Sequence, residues 1–418
     1  DKMDFANRSD TMCGKLAMCN VLRQMKIKYT LTKKFCVDPL DESFKEDLRL
    51  FAGTCRVVAG MRKFNVGAIG ARTTAFKTVR CDEIAFQSKR INIETIDLTV
   101  VFDLMDAADP VLMEAKKQEL LAVADFGTWP AIKLENLARL GVAIDQLIEE
   151  YDLQALAFRC WNELQLRYGI APCVLMGILN ERGIAAACEL DITNAVMMRA
   201  MGLAANWPVV LLDVNNNYKD DMNKGIFFHC GPAPISMMEG KGVIEQHLMF
   251  KKSYGDGSGV GLNVGKLIRG DVTVGSFKTE DGQLCAFVTE GKFTNDEIPE
   301  EFFGMGAVFE KENANEMFNY MAKNGYRHHA AVTKGNYAES VREAFENYLD
   351  YKSGAILIMN KNIAEDVVTT RGEAYGIEFM LKKPLGKLNG WLAYTYSKTR
   401  LREVGGRGDM AINGGKWY

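Results

Sequence analysis

Between residues 63 and 205 short apolar runs alternate with longer amphipathic ones, and no other property of the chain limits its folding so tightly. NVGAIGA, INIETIDLTVVF, ALAFRCW and AAACEL read as strands. VLMEAKKQELLAVADF and LENLARLGVAIDQLIEEYDL carry apolar residues at three- and four-residue spacing and read as helices. Alternation of this kind predicts a parallel sheet with helices packed on its faces.

The flanking segments have other textures. Residues 1–62 are mostly helical in pattern, in SDTMCGKLAMCNVLRQM and DESFKEDLRLFAGTCRVVAGM, and read as the remnant of a first α/β domain. Residues 63–205 form the second α/β domain. Residues 206–352 are β-rich, with a hairpin expected in VTVGSFKTEDGQLCAFVTEGKF, closed at EDGQ, then a helix in NANEMFNYMAKNG, a strand around HHAAV and a last helix in AESVREAFENYL. Residues 353–418 break the style again: alternating, aromatic-rich runs flank PLGKLNG, the texture of a hairpin from a barrel wall. The chain begins at Asp1 and stops at GGKWY, and both ends read as cut from longer reading frames.

Composition narrows the function. A chain of 418 residues, 48% apolar and 25% charged, is an ordinary globular one. A formal net charge of -3 and the lack of a basic stripe interleaved with aromatics argue against a nucleic-acid partner. The ten cysteines show no C-x-x-C pair, and Cys188 and Cys285 sit in apolar runs as reduced buried thiols do, which points to a reducing, cytoplasmic setting. No signal pattern or apolar run of transmembrane length is seen, so no membrane is expected for residues 1–352.

Candidate chemistry gathers at strand ends. Glu189 follows AAAC, Asp213 follows PVVLL, His229 follows IFF, and His328 and His329 open the strand HHAAV. Two carboxylates and two imidazoles are an oxygen and nitrogen ligand set suited to Mn²⁺ or a similar divalent ion. Ordinary structural roles suit the same residues: Glu189 and Asp191 as caps of ITNAVMMRAMG, Asp213 in an Asx turn into NNN, each histidine as a hydrogen-bonded structural group. His247, in VIEQHLMF, has no acidic or Gly-rich setting and reads as structural. GAIGARTTAF lacks the full dinucleotide fingerprint and GVGLNVGK lacks the Ser or Thr of a phosphate loop, so both read as turns.

Six stretches together carry a resemblance: VGAIGARTTAFKTVRCDE, RCWNELQLRYGIAPCVLMGILNE, ACELDITNAV, DVNNNYKDD, FHCGPAP and HHAAVTKG. In this order and spacing, over residues 1 to 351, the chain resembles the L-fucose/L-arabinose isomerase family. The resemblance implies two α/β (Rossmann-like) domains with parallel sheets, the first N-terminally truncated here, followed by a β-rich, barrel-like domain. It implies Mn²⁺ bound by Glu189, Asp213, His329 and, as in the arabinose branch, His229. Glu189 and Asp213 would also be the catalytic acid/base groups, interconverting an L-fucose- or L-arabinose-like aldose and its ketose through a cis-enediol. It also implies a homo-oligomer, a trimer or hexamer. The tail, in AYGIEFMLKK, GKLNGWLAYTYS and INGGKWY, resembles a fragment of a TonB-dependent outer-membrane receptor barrel. Two other readings stay open: a non-catalytic sugar-binding protein, and a chimeric reading frame that joins an isomerase to a receptor fragment.

Overall fold

The computed structural model describes residues 11–299, 302–353, 370–383 and 390–403. Contacts divide the chain into two units, Asp1–Ile356 and Leu357–Tyr418.

The alternating region of the first unit makes a four-stranded, wholly parallel sheet in the order Ile91–Ile96, Phe64–Ile69, Leu153–Phe158, Ala185–Cys188. Three of its strands are short and nearly continuously buried, as strands covered on both faces are, whereas the edge strand Ile91–Ile96 is buried only at its two ends. The helices expected from the two long amphipathic runs form at Pro110–Val123 and Ala131–Glu150. One expectation needs correcting. INIETIDLTVVF was read as one strand, but the strand stops at Ile96 and a helix runs over Leu98–Asp106. The Asp97 carboxylate accepts from the Thr99 backbone N–H and so caps that helix, whose Leu98, Val101, Phe102 and Met105 are buried at helical spacing.

The N-terminal segment supplies helices Thr11–Gln24 and Glu42–Met61, with no strand among its described residues. Glu42–Met61 is capped by Asp41 and buries Val57, Val58 and Met61 in the same core as the parallel sheet and the helix Ile192–Ala205.

Beyond residue 205 the pairing turns antiparallel. Strand Gly270–Glu280 pairs along its whole length with Gln283–Phe293, in register Glu280↔Gln283. The turn is Asp281-Gly282, with φ of 51° and 70°, the geometry of a two-residue hairpin that suits an Asp-Gly pair. Gly270–Glu280 also pairs with His329–Lys334, which pairs with Val209–Asn217, then Lys224–His229, then Met305–Glu310, and that last strand pairs back with Gln283–Phe293. The succession of ladders therefore returns to its start. A second expectation fails here: Asp213 does not end its strand, which continues to Asn217 through an irregularity between Val214 and Asn216. Four buried residues, Val209 to Leu212, hold the first half of that strand in the core, and exposed Asn215, Asn216 and Asn217 extend it as a ribbon.

In the second unit Thr370–Lys383 and Gly390–Glu403 pair antiparallel in unbroken register, Lys383↔Gly390 to Thr370↔Glu403. The PLGKLN stretch and INGGKWY lie outside the described residues.

Candidate active site

The carboxyl ends of the parallel strands, where an open α/β sheet leaves a crevice for ligands, deliver the first group of side chains. Glu189 follows strand Ala185–Cys188 directly. Glu189 and Leu190 both take left-handed backbone, φ 61° and 60°. For residues with a Cβ that conformation costs of the order of 1–3 kcal/mol each. A tight turn offsets it, with Leu190 N–H donating to Phe158 O and Asp191 N–H to Cys188 O. Its consequence is that Glu189 and Asp191 leave the strand on one side, facing the antiparallel strands.

Asp191 is completely buried and is the most heavily bonded carboxylate of the site. It caps helix Ile192–Ala205 by accepting from Asn194 N–H, and it accepts from Thr193 Oγ1 at 2.7 Å, Asn194 Nδ2 at 2.6 Å, Arg327 Nη1 at 2.7 Å and His329 Nδ1 at 2.8 Å. Burial by itself would raise its pKa, but the Arg327 guanidinium and the His329 bond hold the carboxyl well below the usual range. The sequence suggested capping for Asp191. Its hold on His329 was missed, and the only sequence trace of it is the Asp two residues past Glu189.

The antiparallel strands deliver the second group. His329 opens strand His329–Lys334 and pairs directly with Asp213 on the neighbouring strand. The His329 ring is wholly buried, with Nδ1 on Asp191 and Nε2 pointing the other way, 3.1 Å from Glu189 Oε2 and 3.4 Å from Asp213 Oδ1. Burial opposes charge on this ring, yet the bond to Asp191 and the nearby carboxylates of Glu189 and Asp213 raise its pKa well above the ordinary value. Glu189 mirrors this: burial favours its acid form, but His329 overrides burial and lowers the pKa. His229 ends strand Lys224–His229, and its ring centroid lies 6.0 Å from that of His329. Cys230 N–H donates to His229 Nδ1 at 2.9 Å.

Ligand atoms of Asp213, His229 and His329 all lie within 4.8 Å of one another. Three buried atoms there, Asp213 Oδ1, His229 Nε2 and His329 Nε2, have no hydrogen-bond partner. Buried polar atoms are rarely left so unless something else satisfies them. Glu189 stands outside that mutual grouping but contacts His329 Nε2. The two imidazoles differ in tautomer. Because His329 Nδ1 donates to a carboxylate, the ring in its neutral form offers a lone pair at Nε2, the usual carboxylate–histidine support of a metal ligand. Because His229 Nδ1 accepts, a neutral ring carries its proton on Nε2 and presents a donor.

The other candidates separate cleanly. His328 is half-exposed, with Nε2 3.7 Å from Asp213 Oδ1, and burial lowers its pKa. His247 caps helix Leu248–Tyr254 by accepting Met249 N–H and lies against Phe250 and Phe303. Asp213 Oδ1 is buried without a hydrogen-bond partner. Phe76 was missed: its ring is 5.7 Å from both His328 and His329 and 5.9 Å from Trp161. Phe76 and Trp161 follow the carboxyl ends of strands Phe64–Ile69 and Leu153–Phe158, and Phe76, with Trp161 against it, lies beside both histidines.

This arrangement of carboxylates and imidazoles beside an aromatic ring can now be set beside known proteins. The model for the fucose/sulfoquinovose isomerase N-terminal domain matches residues 1–62, and that for the L-fucose isomerase C-terminal domain matches residues 227–355. A sulfoquinovose isomerase of Alkalicoccus urumqiensis is 23% identical over 316 residues, covering 73% of this chain and 68% of that protein. A sulfoquinovose isomerase of Priestia megaterium is 22% identical over 345 residues, covering 80% of this chain and 74% of that protein. On these matches the chain is an enzyme, an aldose–ketose isomerase built on mixed α/β architecture. The family they support is that of the fucose/sulfoquinovose isomerases. The segments that the two family models match do not include the hairpin of residues 370–403.

Proposed function

We propose that the chain interconverts an aldose and its 2-ketose with a divalent ion, Mn²⁺ or a close equivalent, held by Glu189, Asp213 and His329, with His229 as a fourth ligand when its ring proton moves from Nε2 to Nδ1 and Nδ1 releases the Cys230 N–H. The observation that carries this reading is the convergence of the three unpartnered buried atoms, Asp213 Oδ1, His229 Nε2 and His329 Nε2. Oxygen and nitrogen donors without thiolate suit such an ion. When bound, it would act as a Lewis acid on the sugar's O1 and O2 and lower the cost of removing the C2 proton.

The chain's own groups do the rest. Glu189 and Asp213 are the two carboxylates facing the cleft, and one of them takes the proton from C2 and returns it to C1. His329 is held in one tautomer by Asp191. While its Nδ1 accepts Cys230 N–H, His229 offers an Nε2–H to a sugar oxygen. Phe76 and Trp161 limit water at the reacting carbons and present apolar surface to the sugar's C–H face.

Among substrates, a sulfoquinovose-like aldose ranks first because the relatives carry that name; L-fucose and L-arabinose follow. Among the described residues no helix is long and apolar enough to cross a membrane. We place the enzyme in the cytoplasm as a homo-oligomer and regard residues 357–418 as taking no part in the chemistry. The test is an aldose panel followed by NMR. Ketose formation from one of these sugars supports the reading, whereas saturable binding without conversion would favour a non-catalytic sugar-binding protein.

A further inference from the structure

The proposed chemistry uses no thiol, yet Cys173, Cys188 and Cys230, with Cys160 against Cys188, gather beside its residues. Cys188 immediately precedes Glu189, Cys230 immediately follows His229, and Cys173 begins helix Cys173–Glu181. Cys173 Sγ and Cys230 Sγ are 3.6 Å apart, in van der Waals contact, within a small apolar cluster that includes Ala171 and Leu262. On its other side Cys230 Sγ lies 3.1 Å from His229 Nδ1.

We propose that Cys173 and Cys230 are an oxidation site, closed to a disulfide by a peroxide and reopened by a thiol, and that closing displaces His229 from Asp213 and His329. A small oxidant is required because Cys173 is buried and Cys230 only partly exposed. Cys173 is the better nucleophile: it stands at the first position of a nine-residue helix, where backbone N–H groups favour a thiolate. Hydrogen bonds from Cys188 and Cys230 also hold its pKa below the ordinary value. Its thiolate attacks the peroxide O–O bond, forming a sulfenic acid and releasing hydroxide. The Cys230 thiol then attacks that sulfur; the S–S bond forms, the S–O bond breaks, and the hydroxyl leaves as water with the thiol proton. Two thiols lose two electrons in all, and one hydrogen peroxide becomes two waters.

A disulfide needs a sulfur separation of about 2.05 Å, so closing from 3.6 Å draws the sulfurs together by roughly 1.5 Å. Cys230 Sγ moves away from His229 Nδ1, and the backbone N–H that also holds that nitrogen belongs to the same residue. The loss of turnover rests on the isomerase reading; the cross-link does not.

The experiment treats the full chain with hydrogen peroxide, digests it without reductant and maps linked peptides by mass spectrometry. Expected is a Cys173–Cys230 link that disappears with dithiothreitol and never forms in Cys173→Ser, while Cys188→Ser still forms it. Turnover should fall in step with the linked fraction and recover on reduction. No linked peptide, or a link that joins Cys188 instead, would overturn the site. A complete link with undiminished turnover would overturn the displacement of His229. A chain inactive before oxidation would count against the function alone, because the peptide map would still decide the site.

Discussion

Replacing Asp191 by Asn keeps the size of the side chain and removes its charge, and the structure sets what that does. The carboxylate receives Arg327 at 2.7 Å, His329 at 2.8 Å, Thr193 at 2.7 Å and two bonds from Asn194, all in a position with no solvent exposure. Asn has one acceptor oxygen, so its amide N–H₂ must face one of these donors, and Arg327, itself nearly buried, loses its counter-charge. Breaking a buried ion pair from one side costs about 3–5 kcal/mol. We expect Asp191→Asn to lower the free energy of urea unfolding by that amount. His329 also loses its orienting partner, which for a supporting carboxylate typically costs 10–100-fold in metal affinity. Mn²⁺ affinity measured by calorimetry on folded protein should fall in that range. Arg327→Met separates the two effects, because it destabilises the fold but leaves the Asp191–His329 bond. An Asp191→Asn protein as stable as the parent, or one with parental Mn²⁺ affinity, would refute the reasoning.

Other outcomes follow from the same geometry. Glu189→Gln and Asp213→Asn should each lower turnover by roughly 10²–10⁴-fold, the usual yield of a positioned acid or base, with circular dichroism unchanged; folding and activity lost together would favour a structural role. His329→Ala should weaken Mn²⁺ binding whereas His247→Ala, which removes only a cap and ring contacts, should not, and equal affinities would contradict the ligand set. Phe277→Ala should cost about 3–5 kcal/mol of stability, because its ring is fully buried against Phe86, Phe345 and Tyr351. A chain stopped after Ile356 should keep full turnover, whereas one stopped after Lys352 removes Ser353, which pairs with Ala286, and should unfold at lower urea.

What could be read in the sequence depended on how local the cause was. The parallel sheet and the Asp281-Gly282 hairpin were legible because periodicity and turn chemistry act over a few residues. Even there, LTVVF was absorbed into a strand, since its apolar residues satisfy both periods and only the Asp97 cap distinguishes them. Glu189, Asp213, His229 and His329 were singled out as residue types at the ends of apolar runs and by resemblance. Their meeting in space depends on the His329↔Asp213 pairing, a contact between strands more than a hundred residues apart. Asp213 in mid-strand, the grip of Asp191 on His329 and the Phe76–Trp161 contact are likewise products of tertiary pairing. No local pattern marks them.

The central claim is that the carboxylates and imidazoles of one cleft work through a bound divalent ion. The most direct measurement is turnover of chelator-stripped chain, on the aldose it converts best, as Mn²⁺ is returned stepwise and the bound ion is counted. The account predicts no turnover in the stripped protein, with activity rising in proportion to occupancy and reaching its limit at one ion per cleft. Full turnover in stripped protein, with excess chelator present, would contradict it.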